Sequence, residues 1–537
     1  MTHKRNLSPV ALVGLFVLLI VAAACSGIGG GPSVTLRIVS GSENRPLETI
    51  VQEWARSHNT TVEMSYQGSV DIARLLQTGS PPYDGVWPAN RLWIDYGDTQ
   101  NIVRYDESIM RSPVILGVKR SIADGLGWIG RDVTLNDILE AAESDELRFM
   151  MTSATQSNSG ASFYFGALNA FAGSPDVVTS QTLEDPAVSE LVTRILGEVD
   201  RSSGSSGFLK DLFLQQYDRF DAMVNYEAVI IETNQELQRQ GRETLYAIYP
   251  IDGLTIADSP LGYIDHGEKA KEEAFLALQQ HLLSETVQRQ LLGLGRRTSL
   301  LGIELTNADR SVFRSEWGID ADRILQPIRL PSREVIQQAL NLYQIAFRRP
   351  SCTIYVLDFS GSMAEQGEAD LKTAMRTLLN QTIAEQYLLQ GHPGDVTQVI
   401  LFNEDIINED QLDRWIVAGN DPDDLLSLSR RIEGMRSGGN TNIFDSTRLA
   451  LQLMTVRRTE ECLPSIILMT DGEDNSGDLN ALNRYLATHE NEIPVFAIMF
   501  GNANSSELQP IVNQTYGRIF DGRSDLVTAF REAKGYN

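Results

Sequence analysis

Asp358, Ser360 and Ser362 alternate at the end of the apolar run YVLDFSGSM, Tyr355–Met363. Thr441 lies in the glycine loop RSGGNTNIFD, and Asp471 in MTDGEDN. Together they offer five hard oxygen donors, of which only the two aspartates are charged. That inventory suits Mg²⁺, which takes octahedral oxygen geometry and keeps an open or water-filled position. The residues leave Mn²⁺ and Ca²⁺ open as well. With three hydroxyls among the donors, the ion stays electrophilic. An exposed Asp or Glu of a protein partner is the expected further ligand.

Other chemistries fail on single residues. A nucleophile elbow needs glycine two residues before the serine, and Asp358 stands there before Ser360. A phospho-aspartate phosphatase would want a second acid where Ser360 stands. His392 and His489 lack the spacing of a zinc site. No catalytic residue emerges, and the chain is not expected to be an enzyme. The acid-rich run DGEDNSGD, Asp471–Asp478, lacks the ligand order of a calcium loop and reads as a solvated loop.

The elements that would position the five residues repeat regularly. Apolar runs TIYVLDFS, VTQVILFN, SIILMTDG and IPVFAIMFG alternate with amphipathic stretches. This predicts a doubly wound α/β sheet, with functional groups where strands end. The order Asp-x-Ser-x-Ser, then Thr, then Asp-Gly resembles the von Willebrand factor A domain over the whole of 351–537. The resemblance implies a metal-ion-dependent adhesion site formed by Asp358, Ser360, Ser362, Thr441 and Asp471.

The first block, 34–330, is also α/β. VTLRIVSGS and TVEMSYQGS read as strands; RPLETIVQEWARSHN and VDIARLLQTG read as helices. Small polar residues follow both strands and open helices, where free N–H groups gather. Plain N-capping accounts for either serine alone. LRIVSGSENRPLETIVQEW, VEMSYQGSVDIARLLQTG, RSPVILGVKR, MTSATQSNSGASFYFGALNAFAG and VNYEAVIIETN resemble a bacterial extracellular solute-binding protein. That implies two α/β lobes, joined by crossing strands and closing on a ligand. By position the cleft would draw on Ser42, Ser69, Asn158, Ser159, Tyr226, Glu227 and Asp252. Glu43 and Asp71 beside the serine turns, with Glu227, speak against an oxyanion. The expected ligand is a neutral or cationic small molecule, or a peptide.

Between the blocks, 331–350 reads as a helical linker. Ser332 is the expected N-cap, with Ile336, Leu340, Tyr343 and Phe347 on one face. Such a face must pack against something. Cys352 and Cys462 each precede an apolar run, so a disulfide is possible in an oxidising compartment. Their unequal distances to the following aspartates could separate them by register.

The N-terminus has a basic MTHKR and then PVALVGLFVLLIVAAAC, short for a span. It resembles a bacterial lipoprotein signal over 1–25, with Cys25 as the lipid-bearing residue. Ala22 stands where the usual pattern has leucine. Residues 26–33, SGIGGGPS, then form a flexible tether. The expectation is an extracytoplasmic chain anchored to the membrane by lipid.

Length and charge agree. The chain has 537 residues, enough for two or three domains, and 42% are apolar. Its 71 acidic and 45 basic residues give a net charge of −26, which disfavours nucleic acid. Two functions follow. One is a cell-surface binding protein that captures an acidic partner through a metal. The other is the solute-binding component of a transport system, with the A domain as docking module.

Overall fold

Three sheets organise the chain in the computed structural model, which describes residues 34–298, 309–320, 325–364, 366–457, 461–489, 493–501, 503, 505–523 and 525–535. Cys25, the signal segment and the tether lie outside the described residues. Among the described residues no helix is long and apolar enough to cross a membrane.

The first sheet opens with β1 (Val34–Gly41), β2 (Thr60–Gln67), β3 (Gly85–Trp87) and β4 (Val103–Ser108). The second takes β5 (Ser112–Lys119), β6 (Phe149–Thr152), β7 (Val199–Ser203), β8 (Ala222–Tyr226), β9 (Leu245–Ile248) and β10 (Thr255–Ala257). β11 (Pro260–Ile264) returns to the first sheet, whose order is β2-β1-β3-β11-β4. The second runs β10-β5-β8-β6-β7, with β9 also paired to β5. The chain therefore crosses between two lobes after β4 and again after β10, and RSPVILGVKR is one of the crossings. The helix face predicted from Leu47, Ile50, Val51, Trp54 and Ala55 is buried in the first lobe.

The third sheet contains β12 (Ser351–Asp358), β13 (Val396–Phe402), β14 (Ile416–Ala418), β15 (Leu463–Thr470), β16 (Val495–Met499) and β17 (Arg518–Asp521). Its order is β14-β13-β12-β15-β16-β17, parallel except at β14. All eight residues of β12 are buried. A parallel strand covered on both faces by helices needs such an unbroken apolar run.

Six helices matter below: α1 (Ser69–Gln77), α2 (Asn158–Phe171), α3 (Arg333–Leu342), α4 (Gln366–Leu379), α5 (Ile443–Arg457) and α6 (Leu526–Lys534). The linker helix α3 continues through a wide turn at Tyr343–Phe347. Its face of Ile336, Leu340, Tyr343 and Phe347 joins one core with Trp93 and Tyr96 of the first lobe, Tyr164 of the second, and Leu388 beyond the linker. The linker is thus part of the body of the molecule. One detail differs from expectation. Ser332 takes the N-cap dihedrals but caps nothing, because its hydroxyl donates to Glu334 Oε2 at 2.9 Å.

Cys352 and Cys462 form a disulfide with Cα atoms 5.6 Å apart. The parallel register sets Cys352 against Pro464, two positions beyond Cys462, so the bridge joins cysteines that are slightly staggered rather than directly opposed. The bridge closes a segment with a sequence separation of 110. Replacing both cysteines by alanine is expected to cost about 2–4 kcal/mol. The check is a lower denaturant midpoint, with a steeper slope because the unfolded chain without the cross-link exposes more surface.

Candidate metal centre and solute cleft

β12 delivers Asp358 to the carboxyl edge of the third sheet, and the following turn places Ser360 and Ser362 beside it. Asp358 and Ser360 are fully buried, whereas Ser362 is exposed. Asp358 Oδ1 accepts from Ser360 N at 2.8 Å, and Oδ2 from Thr470 Oγ1 at 2.6 Å. The Ser360 and Ser362 hydroxyls are 3.0 Å apart, and Ser362 Oγ donates to Asp471 Oδ1 at 2.8 Å. Thr441 approaches from the glycine loop, which is tied down by Gly361 N to Gly439 O and Gly438 N to Phe359 O, each 2.9 Å. A Cβ on Gly472 would sit 3.0 Å from Ser362 Oγ and 3.5 Å from Thr441 Oγ1. The glycine therefore lets both hydroxyls reach the same space. All five predicted residues meet at one edge.

Several supporting residues escaped sequence reasoning. Thr470, the last residue of β15, orients Asp358. Asn475 holds Thr441 on both sides, accepting from Thr441 N at 2.8 Å and donating its own N–H to Thr441 O at 3.0 Å. Asp474 Oδ2 accepts from Ile443 N at 2.6 Å and Phe444 N at 3.2 Å, capping α5 from outside. The acidic run after Asp471 is largely exposed, as expected of a solvated loop, and within it Asp474 and Asn475 also position the glycine loop. Its signal lay in Asp and Asn types, which accept backbone bonds readily.

The electrostatics of the edge favour a cation. Burial raises the Asp358 carboxyl to about 6, against hydrogen bonds from Thr470 and Ser360 that lower it; neighbouring Asp471 adds to the rise. Burial also raises Asp471, opposed by its bond from Ser362. Among the described residues no lysine or arginine ion-pairs with either carboxylate. Two buried, unneutralised carboxylates beside three hydroxyls fit a divalent ion. Among the described residues no group of three or more His, Cys, Asp or Glu could hold a metal. The set here differs in kind, since most of its donors are hydroxyls.

The first two sheets face each other in a closed arrangement. Ser42 Oγ accepts from Gly207 N at 2.9 Å across the seam. Asn158, at the start of α2, accepts from Trp93 Nε1 at 2.7 Å and donates to Tyr226 Oη at 3.1 Å. Val70 N reaches Gln156 O at 3.0 Å. Behind this seam lies a cavity of about 20 Å³, lined by Glu43, Arg111, Tyr226, Ser259 and Arg296 among others.

Of the seven residues expected at the cleft, Tyr226 lines this cavity, while Ser42 and Asn158 close the seam. Ser69 is turned within its own lobe, accepting from Ala89 N at 3.0 Å. Ser159 bonds Thr152 and Ser206 hydroxyls, both at 2.8 Å. Glu227 does not face the cavity: Arg297 clamps its carboxylate at 2.7 and 2.8 Å, and Tyr249 also donates to it. Asp252 accepts from Leu135 N at 3.0 Å, on the second lobe. The charge argument changes accordingly. Glu227 is neutralised by Arg297, and Asp71 by Arg531 from α6. Arg111 and Arg296, two cations absent from the sequence reading, line the cavity instead. Their Nε atoms and Glu43 Oε1 are buried without hydrogen-bond partners.

Burial pushes Glu43 up from 4.5 to about 7; its own backbone bond and Arg296 oppose this, and Glu232 adds to it. As pH rises from 4.5 to 7, the unfolded chain releases this proton first, so stability is lost over that window. The loss is about 3 kcal/mol. Glu43→Gln is expected to remove that part of the slope, read as the difference between the two proteins' unfolding free energies against pH.

Comparison with known proteins agrees with this division. Residues 36–295 match the family model described as bacterial extracellular solute-binding protein, and residues 354–529 the von Willebrand factor type A domain. Inter-alpha-trypsin inhibitor heavy chain H3 of Homo sapiens is 26% identical over 194 residues, covering 33% of this chain and 20% of that protein. Heavy chain H4 of Bos taurus is 27% identical over 141 residues, covering 25% and 14%. The chain thus spans a fifth or less of the length of these relatives. Among solved structures, the sulfate-binding protein SubI from Mycobacterium tuberculosis H37Rv is 16% identical, covering 56% of this chain and 96% of that one, with a TM-score of 0.38. A von Willebrand factor type A protein from Catenulispora acidiphila is 17% identical, covering 36% and 44%, with a TM-score of 0.30.

Proposed function

On the premise that the chain joins a bacterial extracellular solute-binding domain to a von Willebrand factor type A domain, we propose that it is a surface-anchored binding protein. Asp358, Ser360, Ser362, Thr441 and Asp471 hold a divalent cation, magnesium by donor type. When bound, the ion supplies a Lewis-acidic position for an acidic side chain of a protein partner. The chain's own residues orient that position. Thr470 and Ser360 N fix Asp358, Asn475 fixes Thr441, and exposed Ser362 leaves the edge open to solvent. Lipidation at Cys25 is the proposed anchor.

The observation that carries this reading is the meeting of two buried carboxylates and three hydroxyls with no basic partner among the described residues. Calorimetric titration of the full chain with magnesium tests it. One equivalent of saturable uptake, abolished by EDTA, is expected. Absence of uptake of magnesium and manganese would reject the metal reading.

A second reading, solute delivery to a transport system, is supported by the cavity between the lobes. Arg111 and Arg296 each present an unpartnered donor there, and Glu43 an unpartnered oxygen. That set suits a small polar solute offering both an acceptor and a donor. Screening small polar solutes for a rise in melting temperature, with Arg111→Met as control, separates this reading from the first.

A further inference from the structure

A second cavity lies where the solute-binding domain, the linker and the A domain meet. Its volume is about 50 Å³. Since a water needs about 10–15 Å³ on this measure, it has room for one tetrahedral oxyanion. Arg348, Arg349, Arg531 and Lys534 line it, with Thr155 and Ser202, and among the described residues no acidic side chain does. In a chain of net charge −26, four cations around one small space are not the expected background.

Most of these charges are matched from behind. Arg531 pairs with Asp71, and Arg349 Nη1 lies 3.7 Å from Asp200. Arg348 grips Asp395 at 2.9 and 2.6 Å. Lys534 is the surplus. Its Nζ donates to Leu389 O at 3.2 Å, a neutral acceptor, and an ammonium has three donors. The nearby acid, Asp395, is already saturated. Besides Arg348 it accepts from Ser351 N at 2.8 Å, Ser351 Oγ at 3.0 Å and His392 N at 2.8 Å. Arg348 Nε is also buried without a partner. Asp395 acts on Lys534 only through space, since its oxygens are already taken. A buried ammonium with no anionic hydrogen-bond partner is costly, and an anion in the cavity lowers that cost.

We propose that this junction cavity binds a small oxyanion of the phosphate or sulfate type, bridging Lys534 of α6 to the linker arginines and the second lobe. The anion fastens the A domain to the solute-binding domain. It depends neither on the metal centre nor on the inter-lobe cavity.

Titration of the purified full chain with inorganic phosphate, and separately sulfate, in a chloride background tests this. One equivalent of saturable uptake is expected. Lys534→Met weakens it at least tenfold, and Arg111→Met, in the inter-lobe cavity, leaves it unchanged. Should the methionine variant fail to fold, Lys534→Gln replaces it. No saturable uptake of either anion by the wild-type chain overturns the proposal. So does equal uptake by the Lys534 variants, or uptake lost in Arg111→Met, which would place the anion between the lobes. Magnesium uptake measured in parallel separates this outcome from the metal reading.

Discussion

Asp358→Ala is expected to weaken the proposed magnesium uptake by more than about 100-fold; loss of even an outer-shell partner typically costs 10–100-fold. Asp358 supplies one of the two charges at the edge and is fully buried. Asp471 already belongs to the set and reaches it from a different strand end, through Ser362, so it does not take the place of Asp358. The measurement is calorimetry on wild type and variant, joined to melting curves with and without magnesium. A saturated site adds about 2.7 kcal/mol at a hundred times the dissociation constant. Wild type should melt higher with magnesium and the variant should not. Retained uptake in the variant would place the ion elsewhere.

Arg531→Met separates the domains. Arg531, from the last helix of the A domain, is only 4% exposed. Its guanidinium pairs with Asp71 on α1 of the first lobe and donates to Thr155 O of the second. Its Nε donates to Tyr387 O at 2.8 Å, and its own carbonyl accepts from Gln156. Removing it leaves Asp71 buried and uncompensated, a loss of about 3–5 kcal/mol. Scanning calorimetry should resolve two transitions where one is expected for the wild type. Asp71→Asn in the same chain should restore part of the loss, since the pair then couples in a double-mutant cycle. Additive effects of the two substitutions would mean that the pair is not the link.

The metal set was legible because its donors sit at strand ends, and strand ends are visible as apolar runs stopping on polar residues. β12, β13, β15 and β16 were each announced by such a run. β14 and β17 were not, because IVA and RIFD are too short and too mixed to show a period. The positioning role within the exposed acidic run after Asp471 stayed hidden for a related reason. Asp474 and Asn475 act on backbone groups of the distant segment 441–444, and nothing local reveals a bond across that span. The cleft was the harder case. Position relative to strand ends found Tyr226 and the seam residues Ser42 and Asn158. It could not show which way Glu227 and Asp252 turn.

What periodicity along the chain determined was the α/β alternation of both blocks, the apolar face of the linker helix, and the strand ends that carry the five oxygens; the two lobes and the crossing between them followed from family resemblance alone. What only the folded chain decided was pairing. Arg297 quenches Glu227, Arg531 quenches Asp71, and Lys534 has no direct acidic partner among the described residues, beside a cavity that no described acidic side chain lines. Periodicity is a property of neighbours along the chain, set by backbone geometry. Charge neutralisation is a property of neighbours in space, and in a low-dielectric interior a partner hundreds of residues away counts as fully as an adjacent one.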